Sequence, residues 1–138
     1  MASNCLFRAV LVASLVACNA GCARAETTVV KDWASVVGQR VVVDGTAANA
    51  KLGAMLETSA GVVWIDGLDS WPEGFYEGQG KGKRLRVTGV VVERHDLPVF
   101  VKKPGEPEMQ GIPVSPGTDL DHASKRYLLQ NATWEPGR

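Results

Sequence analysis

The residues of this chain best equipped for chemistry crowd into one stretch, WIDGLDSWPEGFYEGQGKGKR, residues 64 to 84. The carboxylates Asp66, Asp69, Glu73 and Glu77 stand there among the rings of Trp64, Trp71, Phe75 and Tyr76. Loop carboxylates are the ordinary ligands of calcium. The calcium-loop template, however, needs alternating Asp or Asn residues ahead of a glycine, and that spacing is missing. Two accounts of the rings remain. In one, Trp71, Phe75 and Tyr76 turn inward and fill the end of a small core. In the other they form a contact platform, because rings offer large apolar area at low entropy cost. Trp71 and Tyr76 are then the anchors, with Asp69 and Glu73 as their polar surround. The expectation is a mixture, with Phe75 buried and Trp71 partly exposed at the rim. Just beyond lies the basic group Lys81, Lys83, Arg84 and Arg86. On a strand, Arg84 and Arg86 share the outward face with Thr88. The candidate partner-binding set is therefore Trp71, Tyr76, Asp69, Glu73, Arg84 and Arg86.

The two histidines each neighbour an aspartate, His95 with Asp96 and His122 with Asp121. A hydrolase or metal site needs such groups to converge, and adjacent residues of a strand face opposite ways. They read as surface histidines. Fingerprints of nucleophile elbows, zinc proteases, phosphate loops and dinucleotide sites are absent. No catalytic residue, metal or cofactor is assigned.

At the N-terminus, MASNCLFR carries one positive charge into the apolar run AVLVASLVA. That run has the length of a secretory h-region and is too short to span a bilayer. It ends in LVAC, Leu15 to Cys18, which resembles the lipobox of bacterial lipoproteins. The resemblance implies lipidation at Cys18 and a membrane anchor. The rival exit is ARA, Ala23 to Ala25, which would yield a soluble periplasmic protein. Either route takes the chain out of the cytoplasm to the cell envelope. Residues 1–25 are accordingly read as leader, and 26–138 as one domain. Cys5, Cys18 and Cys22 fall in the leader, so the domain has no disulfide and relies on its apolar core. The chain holds 15 basic and 15 acidic residues; setting Arg8 and Arg24 aside leaves 13 against 15. A slightly acidic exported domain is not expected to bind nucleic acid.

The elements that must carry these residues are strands. GQRVVVDGTA from Gly38 and GKRLRVTGVV from Gly82 repeat glycine, arginine, valine and glycine at equal offsets. Both alternate with period two, which points Val41, Val43, Leu85, Val87 and Val91 inward. The inner glycines, Gly45 and Gly89, suggest bulges or tight bends in a curling sheet. GAMLETSAGVVWIDG makes two strands about a Ser-Ala-Gly turn, with Trp64 opposing Val63 and Ile65. LPVFVKK and the run from about Arg126 to Trp134 supply further strands. Asp32 caps a turn of helix, and Thr118 or Asp119 caps another. The proline- and glycine-rich segment 102–124 is too long for an ordinary turn.

This pattern, over residues 33 to 135, resembles the OB-fold, a five- to six-stranded Greek-key β-barrel of the all-β class, here with one or two short helices. A different small barrel or a sandwich is the alternative. Joined to the leader, the barrel leads to a non-enzymatic, lipid-anchored envelope protein that binds another protein, of inhibitor or toxin-immunity type. Two alternatives stay open: a binder of envelope glycan or small ligand, and an enzyme whose site lacks a motif.

Overall fold

A computed structural model describes residues 24–138. Its strands are β1 (Arg40–Ala50), β2 (Gly53–Thr58), β3 (Gly61–Ile65), β4 (Arg84–His95), β5 (Val99–Val101), β6 (Ile112–Val114) and β7 (Lys125–Pro136). A 3-10 turn at Ala34–Val36 precedes them, and a short helix α1, Leu120–Ala123, leads into β7. Five strands close into a barrel in the order β1-β2-β3-β7-β4. Every junction is antiparallel except β3 with β7, where Trp64 and Ile65 run parallel to Leu128 and Leu129. The barrel is all-β and Greek-key, the expected class.

Alternation builds its interior. Val41, Val43, Leu56, Val63, Leu85, Val87, Val91 and Leu129 are buried and project from successive strands into one core. The two echoing segments turn out to be neighbours. Val43 pairs with Val87, flanked by Val41 with Gly89 and Gly45 with Leu85, so the echo is a local two-fold through one antiparallel pair. The two glycines have different uses. At Gly45 the β1–β4 register is regular, just where β1 begins to pair with β2 at Thr46, but a Cβ would lie 2.6 Å from the Glu57 carbonyl and 2.7 Å from Leu56 Cγ. The glycine lets β2 fold close over β1. At Gly89 the β4–β7 register slips between Thr88 and Val90, and the extra residue belongs to β7. There Asn131 takes the left-handed conformation, φ 53°, a region Asn tolerates better than most residues.

Both caps form. The Asp32 carboxylate accepts the Ser35 N–H at 2.9 Å, and Asp119 accepts from the Asp121 and His122 amides. The segment after β4 differs from expectation. LPVFVKK does not join the barrel; its strand β5 pairs in parallel with β6 in a separate two-stranded ribbon. Ile112, Pro113 and Val114 are thus a strand of that ribbon, within the proline- and glycine-rich segment 102–124. We call residues 97–124, the ribbon with α1, the arm.

Candidate binding groove at the barrel rim

Trp71 corrects the sequence expectation most directly. It is buried, not partly exposed at the rim, with 4% of its surface accessible. Its indole N–H donates to the Met55 carbonyl at 2.7 Å, and its backbone N–H donates to Asn49 Oδ1. The ring stands edge-on to Trp134, 5.1 Å between centroids. Between β3 and β4 this loop therefore drops one tryptophan into the core as a plug. Phe75, expected buried, is only half-buried, with the Lys83 ammonium 5.6 Å from its ring. Tyr76 is also half-buried, on a bridge to Gly82. Asp69 and Glu73 are exposed.

Arg84 and Arg86 do project outward, away from those aromatics. The Arg84 Nε donates to the Arg138 carbonyl. Arg86 binds both Asp44 oxygens at 3.0 and 3.1 Å and also donates to Thr27 Oγ1 and the Ala25 carbonyl. The Arg86 hydrogen bond, foremost, holds the Asp44 carboxyl below the usual range. Arg86 thus fastens the N-terminal segment along β1. Trp71, Tyr76, Asp69 and Glu73 share the loop between β3 and β4, with Trp71 turned into the core, while Arg84 and Arg86 bond to the C-terminal residue, to Asp44 and to the N-terminal segment. Cys18 lies outside the described residues.

What the tertiary structure does assemble is a groove at the rim where β3 and β4 end and β7 begins. Trp64, outward on β3 as its alternation requires, is half-buried with the Arg126 guanidinium 5.1 Å over its ring. Arg126 and Arg94 are register partners on β7 and β4, a like-charge pair that needs neutralising. Asp96 does so for Arg126 with two bonds, 2.6 and 2.9 Å, and Asp66 for Arg94 at 2.6 Å. The Arg126 bonds hold the Asp96 carboxyl below its usual range. Asp66 is thereby paired with Arg94. No cluster of three or more His, Cys, Asp or Glu residues able to hold a metal occurs among the described residues.

Leu52, in the tight β1–β2 turn, divides the rim into two hollows. One, of ≈ 270 Å³, is walled by Trp64, Asp66, Asp69, Arg94 and Arg126. The other, of ≈ 260 Å³, lies between that turn and the arm, walled by Lys51, Pro98, Gln110, Gly111 and Ile112. Leu52 is 41% exposed and Ile112 42%, and Met109 on the same arm 53%. Of these residues, sequence reasoning marked Trp64 as outward and Asp69 as a candidate contact. Leu52 and Ile112 carried a usable signal, each an apolar residue in a segment otherwise built for turns. Arg94 and Arg126 carried none.

His95 sits at the neck of the arm. Its Nε2 is 2.9 Å from Glu93 Oε1, and its Nδ1 is 2.9 Å from the Asp121 carbonyl and 3.0 Å from Asp121 Oδ1. Both ring nitrogens are engaged, so neither is open to accept a substrate proton in this arrangement. No family model, curated protein or solved structure matches the chain.

Proposed function

We propose that this chain is an exported, lipid-anchored, non-enzymatic binding protein of the cell envelope that grips another protein, of inhibitor or toxin-immunity type. The supporting observation is the rim: an exposed Leu52 between hollows of ≈ 260 and ≈ 270 Å³. Pockets that enclose small molecules run about 300 to 1,000 Å³. Hollows below that size, beside exposed Leu52 and Ile112, suit single side chains inserted by a partner while Leu52 inserts in return. Around Trp64, the carboxylates Asp66, Asp69 and Asp96 outnumber the guanidiniums Arg94 and Arg126 by one. The partner is expected to set a basic group near Asp69 beside its apolar anchor. The leader motif at Cys18 supports the address, and Cys18→Ala should release the protein from the membrane fraction or block its processing.

A photo-crosslinking residue at position 52 or 112, in the protein expressed in its own host, tests the reading. The same protein adduct should appear from both positions and not from the exposed position 29. Leu52→Asp in a chain crosslinked from 112 should abolish that adduct while leaving the melting temperature unchanged. Absence of any protein adduct from either position would sink the proposal. A second reading, an envelope-glycan binder, is favoured by one feature, the Trp64 ring flanked by Asp66, Asp69 and Arg94. It predicts retention on immobilised glycan that Trp64→Ala removes and Ile112→Asp does not.

A further inference from the structure

The arm meets the barrel at a narrow neck. There Leu97 N–H donates to the Ser124 carbonyl, Asp96 pairs with Arg126, and His95 reaches Asp121 on α1. Of these contacts only the last includes a group that ordinarily titrates near neutral pH.

The atoms around His95 set a requirement. Nε2 faces a carboxylate oxygen of Glu93, and Nδ1 faces the carbonyl and a carboxylate oxygen of Asp121. All of these are acceptors at neutral pH. Only the imidazolium, with an N–H on each nitrogen, satisfies both sides. A neutral ring keeps one N–H and turns a lone pair against an oxygen on the other side, so one contact must open.

We propose that His95 is a proton-operated latch that fastens α1, and with it the arm, to the end of β4. Glu93 is two residues away on the same strand and stays within reach, whereas Asp121 belongs to α1 and is the side that leaves. The helix spans four residues, Leu120–Ala123, and so short a helix holds only through its tertiary contacts. Other charged groups at the neck do not supply the missing proton. Lys125 is the register partner of His95 on β7, and Tyr127 is that of Glu93. The His95 hydrogen bond, chiefly, lowers the Glu93 pKa, with smaller downward contributions from Lys125 and Tyr127. Arg94, Arg126 and Asp96 are committed to their own pairs. The Glu93 hydrogen bond, chiefly, raises the His95 pKa above its ordinary value; burial opposes it, and the Asp121 carbonyl and carboxylate add smaller upward contributions. The folded value is raised, so the latch is complete below the ordinary histidine pKa of about 6.5. It opens as pH rises through the raised value.

The arm supplies Pro98, Gln110, Gly111 and Ile112 to one of the two rim hollows, so the latch would carry pH to that surface. Its test needs no partner and is independent of what the groove binds. The His95 ring and the amides of residues 120–124 are followed by NMR from pH 5 to 9 in the full chain carrying His122→Gln, so that His95 is the histidine beside those amides. His95 should titrate above the ordinary histidine value, and the α1 amides should shift along the same curve. Exchange of the Ala123 and Ser124 amides, corrected for intrinsic base catalysis, should speed severalfold across it. In His95→Gln that pH dependence should vanish, and in Asp121→Asn the His95 midpoint should fall. A His95 midpoint at or below the ordinary value, or α1 amides indifferent to His95 titration, would overturn the latch.

Discussion

Replacing Trp71 by alanine separates a plug from a contact residue by a wide margin. Burying a tryptophan removes about 150–250 Å² from water, which at ~25 cal/mol/Å² corresponds to ~4–6 kcal/mol. Alanine keeps only a small part of that. The substitution also leaves the Met55 carbonyl without the indole donor that meets it at 2.7 Å, at about 1 kcal/mol. The edge-on contact with Trp134 is lost as well, a further ~0.5–1.5 kcal/mol. Against these, the glycine-rich loop can settle inward and refill part of the space, which brings the net cost to about 3–5 kcal/mol. For a barrel of this size the urea midpoint should then fall by roughly 2 M at unchanged slope. The melting temperature should fall by ~10–20 °C. Trp71→Phe keeps a ring and loses the N–H, so it should cost only about 1–2 kcal/mol. Equilibrium unfolding followed by far-UV circular dichroism reads all three proteins. An unchanged midpoint for Trp71→Ala would show that the ring contributes nothing to the core and would refute its assignment as the plug.

Val43→Ala and Val87→Ala should each cost about 1–3 kcal/mol. Because the two valines are direct partners across β1 and β4, the double variant should deviate from additivity in a double-mutant cycle. Gly45→Val should be worse than Gly89→Val. A Cβ at Gly45 meets the Glu57 carbonyl at 2.6 Å, while at Gly89 the nearest atom is Leu129 Cβ at 3.0 Å. We expect about 2–3 kcal/mol at Gly45 and less at Gly89, ranked by thermal melts. The Asp44 carboxyl is depressed, so its ion pair with Arg86 stabilises the fold fully above the unfolded value of about 3.9 and is lost as pH falls through the lowered one. Asp44→Asn should therefore be less stable than the parent at neutral pH and should lose its stability less steeply below about pH 4. Parallel acid limbs in pH-dependent unfolding would contradict this.

Local order was largely written in the sequence, because it depends on neighbours two to four residues apart. Alternation fixed the inward face of β1 and β4 and turned Trp64 outward. Asp32 and Asp119 marked their turns by the reach of one side chain to nearby amides. The paired glycine–arginine–valine phrases announced related strands. Their direct pairing about Val43 and Val87 emerged only when the barrel closed. The fate of Trp71 was not legible, since its loop has no periodicity to assign an inside. That was settled by Asn49, Met55 and Trp134, which come to it from three other strands. Tertiary structure likewise chose the candidate site. The parallel β3–β7 junction places Trp64 beside Leu128, and the β4–β7 register then sets Arg94 against Arg126 under that ring. The arm folds back until Ile112 shares a hollow with Leu52. Period two tells a side chain which face of its own strand it occupies. Which residues meet across a rim depends on barrel closure and strand register, and those are properties of the whole core.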